Sequence, residues 1–130
     1  MQLALNRRSP LFRLFGEAKK QTVKGALRLV LSATDGNGAI SVPLASRLTI
    51  GTDSHLDIDM PGGEQYHISD RHAVFTYHHN SLFVQDLDSA GGTRINGYDI
   101  DAGNAYPLHN GDELELGSLR LTVRLVRSPN

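Results

Sequence analysis

Three short strings gather the side chains of this 130-residue chain that could do chemistry: Gly51-Thr52, Ser69-Asp70-Arg71-His72, and Asp86 through Gly97, which reads D-L-D-S-A-G-G-T-R-I-N-G. Thr52, Ser69 and Ser89 carry neutral hydroxyls, and Arg94 carries a permanently charged planar fork that suits an anion if it turns toward the same rim. A serine directly after Ile68, at the head of a strand, equally suits a turn in which it satisfies its own backbone. The chain has six histidines. His67, His72, His78 and His79, taken with Asp57 and Asp59, lack the spacing of a helix or finger ligand set, so no metal is assigned. His78-His79 beside Asn80 suits an exposed hairpin turn. There is no nucleophile elbow, no phosphate-cradling glycine loop and no paired-carboxylate pattern. Cysteine is absent, which excludes thiol catalysis and disulfides. The expectation is a non-enzyme without cofactor.

Composition sets the outer bounds. Hydrophobic residues make up 39% and charged residues 21%, ordinary for one globular domain. No apolar run approaches the roughly 20 residues of a membrane span, and no cationic start leads into an apolar signal core. The expected location is the cytoplasm or the cytoplasmic part of a larger assembly. Charge is divided unevenly. Residues 1–24 hold six basic side chains against one acidic, a net +5, whereas residues 25–130 hold seven against thirteen, a net −6. Such a split suggests two surfaces with different partners. The acidic body argues against nucleic acid. It also opposes a phosphothreonine, which brings about −1.5 to −2 charges.

The elements that must position these residues fall into two parts. In residues 1–24, Leu11, Leu14, Phe15 and Ala18 lie at i, i+3, i+4 and i+7, behind a Ser9-Pro10 start, which predicts a short amphipathic helix. It could pack on its own domain, contact a membrane surface peripherally, or fill a partner's groove. From residue 26 the period becomes two. Leu27, Leu29 and Leu31 form one strand, and Ile40, Val42 and Leu44 a second, placed at an edge by Pro43. Leu48-Thr49-Ile50 and the alternating Leu56–Met60 follow. Strands over 72–78 and 81–87 join across His79-Asn80, and Thr93-Arg94-Ile95 joins Tyr98-Asp99-Ile100 across Asn96-Gly97, the strongest short hairpin signal. Leu114-Glu115-Leu116 turns at Gly117-Ser118 into the alternating run Leu119–Leu125. Many short strands with glycine-rich turns predict an all-β, antiparallel two-sheet sandwich of about 10–11 strands over residues 25–130.

The same strings, in this order and spacing, resemble the forkhead-associated (FHA) domain, a sandwich related to the SMAD fold that reads phosphothreonine. The apolar frame agrees: Leu48 and Ile50 before Gly51, Ala73-Val74-Phe75 after His72, and Gly111 to Gly117 (G-D-E-L-E-L-G) closing the pattern. The resemblance implies that Gly51-Thr52, Ser69 and the 89–93 turn meet at one end of the domain as the peptide site. It implies Thr52, Ser69, Arg71, Ser89, Gly91 and Arg94 as phosphopeptide or partner contacts, with Ser69 donating to the phosphate. It assigns Gly51, His72, Gly92, Thr93, Asn96 and Gly97 to shaping the loops. Two contacts depart from the pattern. Thr52 stands where the family usually has arginine, and Gly91 where it usually has the asparagine that grips the peptide backbone; Asp70 adds a carboxylate where a basic residue is common. Losing one charge-assisted bond of about 1.5–3 kcal/mol weakens binding roughly 10- to 150-fold. The expectation is a protein-interaction module that is phospho-independent or weakly phosphothreonine-dependent, with its oligomeric state open. The alternatives are a working phosphothreonine reader using Ser69 with Thr52 or Arg94, and recruitment through residues 1–24.

Overall fold

Leucines alternating with polar residues open the fold, and in the computed structural model, which describes residues 26–127, they send Leu29 and Leu31 fully into the core. The strands are β1 (Leu27–Ala33), β2 (Ala39–Pro43), β3 (Arg47–Gly51), β4 (Ile58–Asp59), β5 (Ala73–His78) and β6 (Ser81–Asp86), followed by β7 (Thr93–Ile95), β8 (Tyr98–Asp99), β9 (Ala105–Leu108), β10 (Glu113–Leu116) and β11 (Leu119–Arg127). They form a six-stranded sheet ordered β2-β1-β11-β10-β7-β8 and a five-stranded sheet ordered β4-β3-β5-β6-β9. The inner faces meet over Leu29, Leu31, Ile50, Phe75, Leu114, Leu116 and Leu121, all with no solvent exposure. Each such side chain contributes about 1.5–3 kcal/mol relative to its exposed state. The all-β sandwich expected from the spacing is present, with eleven strands among the described residues. The helix expected within residues 1–24 lies outside the described residues, as does the role given to that segment.

The hairpins follow from their turn residues. His79 and Asn80 (φ 51° and 61°) join β5 to β6, and Asn96 and Gly97 (φ 52° and 87°) join β7 to β8. Positive φ at both central positions gives the twist that flanking strands require. Asn96 also clips its hairpin to β10: its amide donates to Asp112 at 3.1 Å and accepts from the Glu113 N–H at 2.9 Å.

Three details differ from the sequence expectation. The alternating stretch Leu56–Met60 yields only the two-residue β4, and it pairs parallel with β3. The Asp57 carboxylate takes the Thr49 N–H and hydroxyl at 3.0 and 3.1 Å, so a side chain replaces part of a ladder. A 3₁₀ turn, Gly63–Tyr66, occupies the loop after β4. β9 is a strand despite Pro107, a residue that normally argues against one. Pro107 is tolerated because β9 is an edge. Among the described residues the four edge strands are β2, β8, β4 and β9; β2 and β9 contain Pro43 and Pro107, and β4 and β8 are two residues long. No helix among the described residues is long and apolar enough to cross a membrane.

Candidate functional site

Two loops close against each other beyond β3 and before β5. A side chain at Gly51 would place its Cβ on the Asp70 carbonyl oxygen, so only glycine permits this approach. Two backbone bonds seal it, Thr52 N–H to the Ser69 carbonyl at 3.1 Å and Asp53 N–H to the Asp70 carbonyl at 3.2 Å. Thr52 then turns its hydroxyl onto the Asp70 carboxylate at 2.8 Å.

His72 ties this pair of loops to a third. The Ser69 N–H donates to His72 Nδ1 at 3.1 Å, so Nδ1 is the acceptor, and the Nε2–H is left to donate to the Gly92 carbonyl at 2.9 Å. The imidazole has no solvent exposure. Burial holds its pKa below the ordinary 6.5, against the Gly92 carbonyl and the Asp86 charge, which favour protonation. Because the unfolded chain binds this proton more readily than the folded one, acidification favours unfolding. The stability at stake is fully present above about pH 6.5 and is lost as pH falls from there through the folded pKa. Imidazole nitrogen shifts in a pH titration should therefore show His72 mainly as the neutral Nε2–H tautomer at pH 6.5, with its midpoint of protonation below that value. An imidazolium signal for His72 in the intact fold near pH 6.5 would overturn this assignment.

The third loop is organised by Asp86, a residue absent from the sequence-derived site. It is 4% exposed. Its Oδ1 accepts the Ser89 hydroxyl at 2.5 Å and the Thr93 hydroxyl at 2.6 Å, and Oδ2 accepts the Ser89 N–H at 3.0 Å. His72 Nε2 lies 3.9 Å from Oδ1. Burial alone would raise the Asp86 pKa, but the bonds from Ser89 and Thr93, with a smaller contribution from His72, outweigh it and hold the carboxyl below its ordinary value of 3.8. Ser89 Oγ in turn accepts the Gly92 N–H at 3.0 Å. The turn between β10 and β11 completes this end of the sandwich, with Gly117 N–H on the Gly92 carbonyl at 2.9 Å and Ser118 N–H on the Tyr66 carbonyl at 2.8 Å. The D-x-x-S spacing of Asp86 and Ser89 was the available signal for this network.

The sequence profile of the FHA domain matches residues 48–117, more than half of the chain and all three loops. The chain belongs to the FHA-domain family. Solved FHA domains share its fold. The FHA domain of FhaA, complexed with the intracellular domain of Rv3910, aligns at 26% identity and a TM-score of 0.60 over 74% of this chain and 99% of that one. The FHA domain of an Arabidopsis thaliana hypothetical protein aligns at 24% identity and 0.66, over 88% and 97%. A domain from work on phosphothreonine-dependent FHA interactions gives 24% and 0.62, over 75% and 95%. No curated protein matches the sequence significantly.

Within this FHA scaffold the donors can be assigned one by one. Thr52 gives its only hydroxyl proton to Asp70, and Ser89 and Thr93 give theirs to Asp86. Ser69 Oγ instead accepts the Ala90 N–H at 2.9 Å, which leaves its proton without an acceptor among the described residues. Arg94 lies on the outer face of the six-stranded sheet, bound to Asp99 at 2.8 Å and Glu115 at 3.5 Å, and it donates to the Gly117 carbonyl at 3.3 Å. Arg71 is exposed and has no ion pair among the described residues. Gly91 is filled from outside: a Cβ there would fall on the His67 carbonyl oxygen and lie 2.9 Å from Gly117 Cα. The loops thus bring Thr52, Ser69, His72, Ser89, Gly91, Gly92 and Thr93 together, with Arg94 reaching their border through the Gly117 carbonyl, and leave the Asn96-Gly97 hairpin outside the cluster. Among the described residues no three His, Asp or Glu side chains converge to hold a metal.

Proposed function

We propose that this chain is a non-catalytic protein-interaction module, phospho-independent or only weakly dependent on phosphothreonine, that serves complex assembly or signalling in the cytoplasm. The observation that carries this reading is the Thr52–Asp70 bond at 2.8 Å. Beside Ser69, where a phosphate dianion would need a cation, the domain holds a carboxylate, and that carboxylate consumes the nearest hydroxyl donor. A like charge at such a position disfavours the dianion.

Calorimetric titration against matched phosphothreonine and unphosphorylated peptide pools tests the reading. The expected outcome is a difference of less than about tenfold between the two forms, under about 1.4 kcal/mol. Low-micromolar binding that is abolished by phosphatase and by Ser69→Ala would overturn it. That result would favour the second reading, a working phosphothreonine reader. Its support is the uncommitted Ser69 proton on a rim that also carries the exposed Arg71.

A further inference from the structure

Three Asn-Gly pairs occur in the sequence: Asn37-Gly38, Asn96-Gly97 and Asn110-Gly111. Such a pair can react with itself, because glycine has no side chain to obstruct an attack of its nitrogen on the asparagine Cγ. The N–Cγ bond forms and the Cγ–Nδ2 bond breaks. The glycine N–H proton, relayed by water, ends on the departing ammonia. Water then opens the resulting five-membered imide at either carbonyl, giving aspartate, or isoaspartate with the backbone rerouted through the side chain. One water is consumed and one ammonia released, with no oxidant, cofactor or partner.

The fold treats the three pairs differently. At Asn110 both reacting groups are engaged: Oδ1 accepts the Leu125 N–H at 2.6 Å, and the Gly111 N–H donates to the Val123 carbonyl at 2.7 Å. At Asn96 the side chain is pinned from both ends, by the Asp112 carboxylate and the Glu113 N–H. Freeing it costs two hydrogen bonds of about 0.5–1.5 kcal/mol each. Asn37 is exposed in the loop between β1 and β2. Among the described residues its side chain makes one bond, from Nδ2 to the Asp35 carboxylate at 3.1 Å, and Oδ1 makes none. That single tie is on the nitrogen that leaves, so the carbonyl carbon stays open to attack. The nucleophile is equally uncommitted. Gly38 is buried with φ 140°, and its N–H has no acceptor among the described residues. A buried N–H without a partner is unfavourable, and the imide removes it.

The loop is closed by the Ala33 N–H on the Gly38 carbonyl at 2.8 Å. The Thr34 N–H bonds the Arg120 carbonyl at 3.1 Å, two residues past Ser118, which itself bonds the Tyr66 carbonyl. Asn37 therefore lies at the same end of the sandwich as the candidate site.

We propose that Asn37 is a self-modification site, deamidating through an imide with Gly38 in the folded domain while Asn96 and Asn110 are protected. The product sets a new carboxylate beside Asp35, and its isoaspartyl form lengthens the backbone of a loop that is closed at both ends. The change is one-way, so this end of the domain becomes more acidic as each copy ages, whatever the loops bind.

Peptide mapping by mass spectrometry tests this on the full chain, held in ¹⁸O-water at mildly alkaline pH. The Asn37 peptide should take up ¹⁸O, in aspartyl and isoaspartyl forms, at least about tenfold faster than the Asn96 or Asn110 peptide. In urea, where the fold no longer separates the pairs, the three rates should converge. Asn96 or Asn110 reacting as fast as Asn37 in the folded chain would overturn the proposal. So would a folded rate at Asn37 more than about tenfold below its rate in urea, which would mean that the fold protects this pair too. A ranking that persists in urea would also overturn it, because neighbouring sequence rather than the fold would then set the order.

Discussion

Asp86→Ala is expected to destabilise the domain by about 3–5 kcal/mol, because it leaves two hydroxyls and one N–H around a buried site without their acceptor. For a domain of this size that corresponds to a fall of roughly 15 °C or more in the unfolding midpoint. Asp86→Asn keeps an acceptor oxygen and the shape but loses the charge, so its loss should be smaller, about 1.5–3 kcal/mol. The charge also has a pH signature. With the folded pKa below the ordinary 3.8, Asp86 contributes stability that is present above about pH 3.8 and is lost as pH falls through the folded value. Both variants should lack that part of the acid response, while the part due to His72 grows, because the Asp86 charge no longer favours its protonation. Denaturant unfolding at several pH values measures both quantities. A midpoint for Asp86→Ala within about 1 kcal/mol of the parent would mean that the 86–93 loop is held by something else.

Thr52→Arg alone is expected to add little phosphopeptide affinity, whereas Thr52→Arg with Asp70→Ser should add about 10- to 150-fold. The reason is the carboxylate that Thr52 now touches: a new guanidinium at position 52 meets Asp70 first and is neutralised there. Removing Asp70 frees that guanidinium for phosphate and deletes a like charge, so the two substitutions are coupled rather than additive. Calorimetry with one phosphothreonine peptide across the four members of the cycle reads the coupling directly. A single Thr52→Arg gain as large as the double variant's would show that Asp70 does not guard the site. Adding Gly91→Asn should not help, although asparagine is what the family usually places there. Its Cβ would meet the His67 carbonyl and Gly117, both backbone, so the substitution must displace the loop before any amide could grip a peptide.

Much of the fold was written in local signals. The Asn96-Gly97 and His79-Asn80 turns, the leucine alternation of β1 and β11, and the edge position of Pro43 each depend on residues within a few positions of one another. The three strings that resemble the FHA pattern also depend on order and spacing, and they do mark one end of the domain. What stayed hidden depends on distant pairs. Asp57 and Thr49 remove most of a strand through side-chain bonds, and Pro107 conceals β9 because its tolerance depends on which strand ends up at the edge. In the site, Thr52 and Asp70 are eighteen positions apart, and their bond decides the fate of one of the three hydroxyls that the sequence offered. The Gly91 position read as a missing side chain, and only packing against His67 reveals that there is no room for one. Arg94 could be placed on β7, but its facing carboxylates came from β8 and β10.

Prolines on two edge strands and two-residue lengths on the other two have a bearing on how this domain can join an assembly. Partners that bind by extending a sheet need a run of free main-chain groups, and among the described residues no rim offers more than a short or interrupted one. Such contacts are read by the backbone and tolerate almost any substitution. Contacts through loops and faces are read by side chains instead. Each partner of this chain should therefore have its own set of disabling point mutations, and many copies can be crowded together without zipping into a continuous sheet.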